Sequence, residues 1–106
     1  MYATLISAAQ LQALQAAHTP PMVFDCSFDL MQPQAGLQHY RDVHLAGAVH
    51  ADLDTALSAK GCADAASGGR HPLPSREKFA AWLGRTGLSN AIQVVVYDGT
   101  GGAYCG

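Results

Sequence analysis

Apolar positions follow two different periods along the chain. From residue 7, SAAQLQALQAAH sets Leu11 and Leu14 on one side of a helical repeat, with Ser7 as a residue suited to capping its start. Thr19-Pro20-Pro21 ends that repeat, because proline has no N–H to extend the ladder. MVFDC, residues 22–26, is a short apolar burst and predicts a buried strand. FDLMQPQAG predicts a loop, LQHYRDVHL a short helical turn, and AGAVHADL, residues 46–53, a second strand. Residues 54–74 predict mostly loop, with Gly68-Gly69, Pro72 and Pro74. Ser75 then caps SREKFAAWLGRTG, in which Phe79, Trp82 and Leu83 share one helical face. IQVVVY, residues 92–97, is the strongest strand signal; it is β-branched on both faces, which predicts a central strand of a parallel sheet.

Strands separated by helices predict an α/β domain with a parallel sheet. A parallel strand as apolar as 92–97 normally feeds a helix that covers the sheet. The residues after it are DGTGGAYCG, so a C-terminally incomplete α/β domain is expected. Its strand 92–97 should then expose a face or an edge.

The 106 residues suit one domain with a modest core. A 49% hydrophobic and 13% charged composition is that of a soluble globular protein, not a disordered one. A net charge of -2 with no basic cluster argues against nucleic acid as a partner. No apolar run reaches membrane-spanning length, and MYATLISAAQ lacks the positive start of a signal peptide. Three cysteines without a CxxC spacing disfavour a disulfide framework or a zinc site and suit a reducing cytoplasm. The five histidines form no HxH or HxxxH pair, so neither a metal nor another cofactor is expected.

In an open α/β sheet, ligands gather beyond the carboxyl ends of the strands. Asp25-Cys26-Ser27, Asp52-Leu53-Asp54, and Asp98 with its glycine-rich loop would meet there. Such a loop can offer N–H groups to an anion, although glycines after a strand are as often only a tight turn. Each candidate also has a plain structural reading. Asp54 could cap a local turn, His71 could brace the loop before Pro72, and Cys26 and Cys62 read as a buried small residue and a loop residue.

YRDVHLAGAVH, residues 40–50, resembles the rhodanese signature, in which an aromatic is followed by His, an aliphatic, Pro, Gly and Ala. Tyr40, His44, Leu45, Gly47 and Ala48 match, and Ala46 stands where the family usually has proline. The resemblance continues through LISAAQLQAL, VFDCSFDL, GGRHPLPSREKFAAWLGRTGL and VVVYDGTGGAYCG. Together these are similar to the N-terminal domain of tandem-domain sulfurtransferases of the thiosulfate or 3-mercaptopyruvate type. The resemblance implies a rhodanese-like three-layer α/β/α fold with a parallel sheet, C-terminally incomplete. Residues 1–106 would be one rhodanese-like domain, with the final helix and strand and the second domain absent.

The family's chemistry passes sulfane sulfur from a donor to cyanide or a thiol through a cysteine persulfide. That cysteine directly follows the central strand, and here the position holds Asp98. The resemblance therefore implies no nucleophile in this chain, a catalytic cysteine in the second domain, and little or no activity for this domain alone. Cys105, seven residues later, is expected to pack rather than react. By position, Asp54 and His71 match an Asp and a His proposed in the family to work with a serine of the C-terminal catalytic loop. Arg70 would add positive charge for an anionic donor. The implied partners are a small-molecule sulfur donor, a thiol or cyanide acceptor, and the second rhodanese domain of the same parent chain. The alternative is a non-catalytic binding or regulatory module with the same fold.

Overall fold

A computed structural model of the chain describes residues 5–102, 104 and 105. The elements run α1 (Ala8–Gln15), β1 (Met22–Asp25), α2 (Ala35–Asp42), β2 (Val49–His50), α3 (Arg76–Arg85) and β3 (Val94–Tyr97). Serine starts both of the helices expected from sequence. The Ser7 hydroxyl accepts the Gln10 N–H at 3.1 Å, and the Gln10 side chain accepts the Ser7 N–H at 2.7 Å, a reciprocal capping box. At α3 the Ser75 hydroxyl accepts the Lys78 N–H at 3.3 Å.

The three strands are parallel and ordered β2-β1-β3. This corrects the expected position of residues 92–97. The central strand is β1, which pairs on one side with β3 from Met22↔Val94 to Asp25↔Tyr97 and on the other with β2 at Phe24↔Val49 and Asp25↔His50. Val23 and Phe24 are accordingly buried, whereas Val94 and Val96 of β3 remain 42% and 41% exposed. β-branched residues fit a pleated surface, but burial on both faces depends on what lies beside the strand. Two further boundaries differ. The second strand is only two residues long, because pairing with β1 covers only Val49 and His50. The expected short turn around residues 37–45 is an eight-residue helix, α2, starting at Ala35. Gly36 lets α2 lie against the loop after β1, since a Cβ there would fall 2.2 Å from the Ser27 carbonyl oxygen.

Alternation along β1 directs Phe24 and Cys26 to one face and Val23 and Asp25 to the other. The first face carries the core: Phe24, Cys26 and Ala51 pack with Leu57, Trp82, Leu83 and Cys105. Trp82 of α3 anchors it, with its ring 5.5 Å from that of Phe24. On the second face Asp25, 1% exposed, accepts the Tyr97 hydroxyl at 2.8 Å and the Ser27 N–H at 2.8 Å. The Tyr97 oxygen in turn accepts the Leu45 N–H at 3.2 Å, which ties segment 40–50 to the sheet. Within that segment the Ala48 N–H bonds the Leu45 carbonyl at 2.9 Å, closing a turn that requires the positive φ of 78° at Gly47. The turn closes with Ala46 at its second position, so proline is not needed there.

Val94 and Val96, together with Leu73 at 59% exposure, leave an apolar strip on the α3 side of the sheet. The 106-residue chain is expected to self-associate through it. Light scattering should give a mass above 11.1 kDa, reduced in a Val94→Thr/Val96→Thr variant. A monodisperse monomer for the unmodified chain contradicts this.

Candidate functional site

Parallel pairing brings the carboxyl ends of the strands to one edge, and an aspartate stands at or just beyond each end. Each of the three accepts the backbone N–H two residues on. Asp25 takes Ser27, Asp52 takes Asp54, and Asp98 takes Thr100, all at 2.8 Å.

The turn after β2 presents Asp54 to a histidine seventeen positions later. His71 Nε2 lies 3.1 Å from Asp54 Oδ1, with side chains 17% and 24% exposed. A carboxylate oxygen can only accept, so His71 Nε2 carries the proton and Nδ1 is left as the basic nitrogen. Lys60 Nζ donates to the same Asp54 oxygen at 3.1 Å. Burial pushes the Asp54 carboxyl up, but Lys60 and then His71 outweigh it and hold the group below the usual carboxylate range. Phe28 meets the His71 ring edge to face at 6.1 Å and Tyr104 at 5.7 Å, so an aromatic wall links the pair to the loop after β3. His71 also borders a largely apolar cleft of about 750 Å³ between α3 and the sheet, which Phe24, Trp82, Val96 and Cys105 line further in. Arg70 is exposed and takes no part in the pair; the arginine at the cleft is Arg76.

Directly after β3, Asp98 gathers the N–H groups of its own loop. Its carboxylate accepts from Thr100 at 2.8 Å, Gly102 at 2.9 Å, Tyr104 at 2.8 Å and Cys105 at 3.0 Å. Burial alone would raise its pKa, yet these four donors hold the carboxyl far below the usual range. The loop is thus an anion cradle filled by its own side chain. Cys105 sits against the core cluster, and burial and the Asp98 charge push its thiol up. Cys26 is pushed up to about 12 by burial, then by Cys105, Asp25 and Asp98. A reactive cysteine needs the opposite surroundings.

The other signature residues hold the fold together. Tyr40 donates to the Ala48 carbonyl at 2.5 Å and stacks on His44 at 4.0 Å and His50 at 5.1 Å, while His44 Nδ1 bonds the Tyr40 carbonyl. Sequence reasoning brought Asp54 and His71 together but missed Lys60, Phe28 and Tyr104. No local pattern marks these three, because Lys60 and Phe28 reach the pair from separate loops and Tyr104 joins it only through Phe28. Among the described residues no group of three or more His, Cys, Asp or Glu is placed to hold a metal ion. No helix there is long and apolar enough to cross a membrane.

A three-stranded parallel sheet, the signature turn beside it and polar residues at the strand ends define a rhodanese-like α/β domain, and comparison with known proteins agrees. The chain belongs to the rhodanese-like sulfurtransferase family. It is 40% identical over 105 residues to a Pseudomonas aeruginosa protein named "Probable 3-mercaptopyruvate sulfurtransferase", covering 96% of this chain and 35% of that protein. It is 35% identical over 92 residues to human 3-mercaptopyruvate sulfurtransferase, covering 82% of this chain and 28% of the human protein. In structure it is similar to 3-mercaptopyruvate sulfurtransferase from Leishmania major, with a TM-score of 0.64 and 31% identity over 74% of this chain and 21% of that one. The chain thus spans about a third of the length of the curated relatives it matches. No family model matches it.

Asp98 yields a stability prediction. Its folded pKa lies far below the unfolded value, so its contribution is fully present above the unfolded carboxylate range, declines as pH falls below that range, and is lost only as pH falls through the folded value. Asp98→Ala should cost about 2 kcal/mol at pH 7, the scale of charge-assisted hydrogen bonds, and measurably but only partly less at pH 3, where the folded carboxyl is still ionised and the unfolded one is largely protonated. Urea unfolding measures this, and equal losses at both pH values contradict it.

Proposed function

We propose that this chain is the non-nucleophilic domain of a two-domain sulfurtransferase. Sulfane sulfur passes from thiosulfate or 3-mercaptopyruvate to cyanide or a thiol through a cysteine persulfide in a second rhodanese domain. The observation that carries the reading is the 3.1 Å contact between Asp54 and His71. Asp54 fixes the ring so that His71 Nδ1 can take a proton from the donor or the acceptor, as in a hydrolase triad. The relatives named 3-mercaptopyruvate sulfurtransferase support the substrate class. Asp98 supports the division of labour, because a carboxylate cannot carry a persulfide and its oxygens already engage the loop's donors. Arg70, the neighbour of His71 in sequence, would add only a solvent-exposed positive charge for an anionic donor. The reducing cytoplasm suits a free-thiol chemistry of this kind.

The filled cradle also favours a second reading, a rhodanese-fold binding or regulatory module without catalytic residues. Sulfur transfer to cyanide by the full-length protein that carries this domain separates the two. Asp54→Asn and His71→Gln should each lower kcat/KM by about 10²-fold or more, and the 106-residue chain alone should show no turnover. Unchanged turnover in both variants favours the module, and turnover by the isolated chain contradicts the division of labour.

A further inference from the structure

Asp52 is not assigned to the pair, yet its two carboxylate oxygens connect the sheet to it. Oδ1 accepts the Asp54 N–H at 2.8 Å, and the Asp52 carbonyl accepts the N–H groups of Thr55 at 3.3 Å and Leu57 at 3.1 Å. These bonds fold residues 52–57 into the bend from which Asp54 reaches His71. Oδ2 lies 3.7 Å from Nε2 of His50, whose side chain is 8% exposed. His50 Nδ1 lies 3.1 Å from the Asp25 carbonyl oxygen, so Nδ1 carries a proton and donates. Among the described residues Nε2 then has no hydrogen-bond partner, and it faces Asp52 from a ring stacked on Tyr40. A protonated His50 would form an ion pair with Asp52 across 3.7 Å. In either state the Asp52 carboxylate is set between a buried ring on β2 and the N–H of Asp54.

We propose that Asp52 is a positioning residue that sets Asp54 against His71 by holding the bend after β2 through its Oδ1 and carbonyl, with the buried His50 ring set against its second oxygen. A solvated turn could swing with residues 55–62, and the contact across 17 positions would then not persist. The bond from Oδ1 fixes the Asp54 backbone, and the opposing ring restricts rotation of the Asp52 side chain. The low Asp54 titration, set by Lys60 and His71, reports whether the carboxylate stays in place. The inference rests on Asp54 and His71 being the functional pair, but its readout does not depend on sulfur transfer.

The test is a ¹³C NMR pH titration of the Asp54 carboxyl in the 106-residue chain, in the Val94→Thr/Val96→Thr background that limits association. The parent chain should show a low midpoint and a second inflection when His71 titrates. In Asp52→Ala the midpoint should move up toward the usual carboxylate range and the second inflection should vanish. Asp52→Asn keeps the Oδ1 acceptor and can donate to the bare His50 nitrogen, so it should retain both features. A folded Asp52→Ala chain with both features intact overturns the proposal, and so does their loss in Asp52→Asn. The asparagine result stands alone where the alanine variant fails to fold. Inert Asp54 and His71 variants in the transfer assay would instead count against the functional reading and leave this one standing.

Discussion

Each strand of the sheet passes into its loop through an aspartate that accepts the N–H two residues on, and the rest of the site depends on that bond. A parallel sheet delivers three strand ends to one edge, where the emerging backbone loses its ladder partners. A short carboxylate supplies the missing acceptor at once. The same device has three outcomes here, decided by burial and by the second oxygen. Asp25 is buried and bonds Tyr97, which is pushed up to about 12 by burial and then by the Asp25 carboxylate, so neither group is placed for proton transfer. Asp52 turns the chain toward His71. Asp98 absorbs four donors and closes its own loop.

The proposed chemistry then falls where a carboxylate is left facing a base. Asp54 is partly exposed and lies next to His71, whose ring is bounded by Phe28. The pair borders an apolar cleft instead of solvent alone, which strengthens the electrostatic coupling between its members. Lys60 competes for the same oxygen and keeps the carboxylate charged.

Much of this was legible in the sequence where the signal is local. Ser7 and Ser75 marked two helix starts, Phe79 and Trp82 marked the packed face of α3, and 22–26 read as a buried strand, which β1 follows to Asp25. The signature at 40–50 and the positions of Asp54 and His71 came from resemblance, since nothing local links residues 17 apart. The misreadings are long-range. Val94, Val95 and Val96 read as a central strand, but which strand is central depends on partners chosen across 70 residues. α2 was underestimated because its start, at Gln34, has no side-chain cap. Cys105, by contrast, was expected to pack rather than react, and its contact with the Phe24 cluster and with Asp98 gives the reason its thiol is pushed up.

The account's central claim is that Asp54 holds the His71 ring with Nε2 protonated and Nδ1 free to act as a base. Long-range ¹H–¹⁵N correlation spectra of the histidine rings at neutral pH and above test it most directly. The account predicts that neutral His71 is the Nε2–H tautomer, with an Nδ1 shift typical of an unprotonated nitrogen, and that Asp54→Ala abolishes this preference. A neutral His71 that is protonated on Nδ1, or a tautomer unaffected by removal of Asp54, would contradict it.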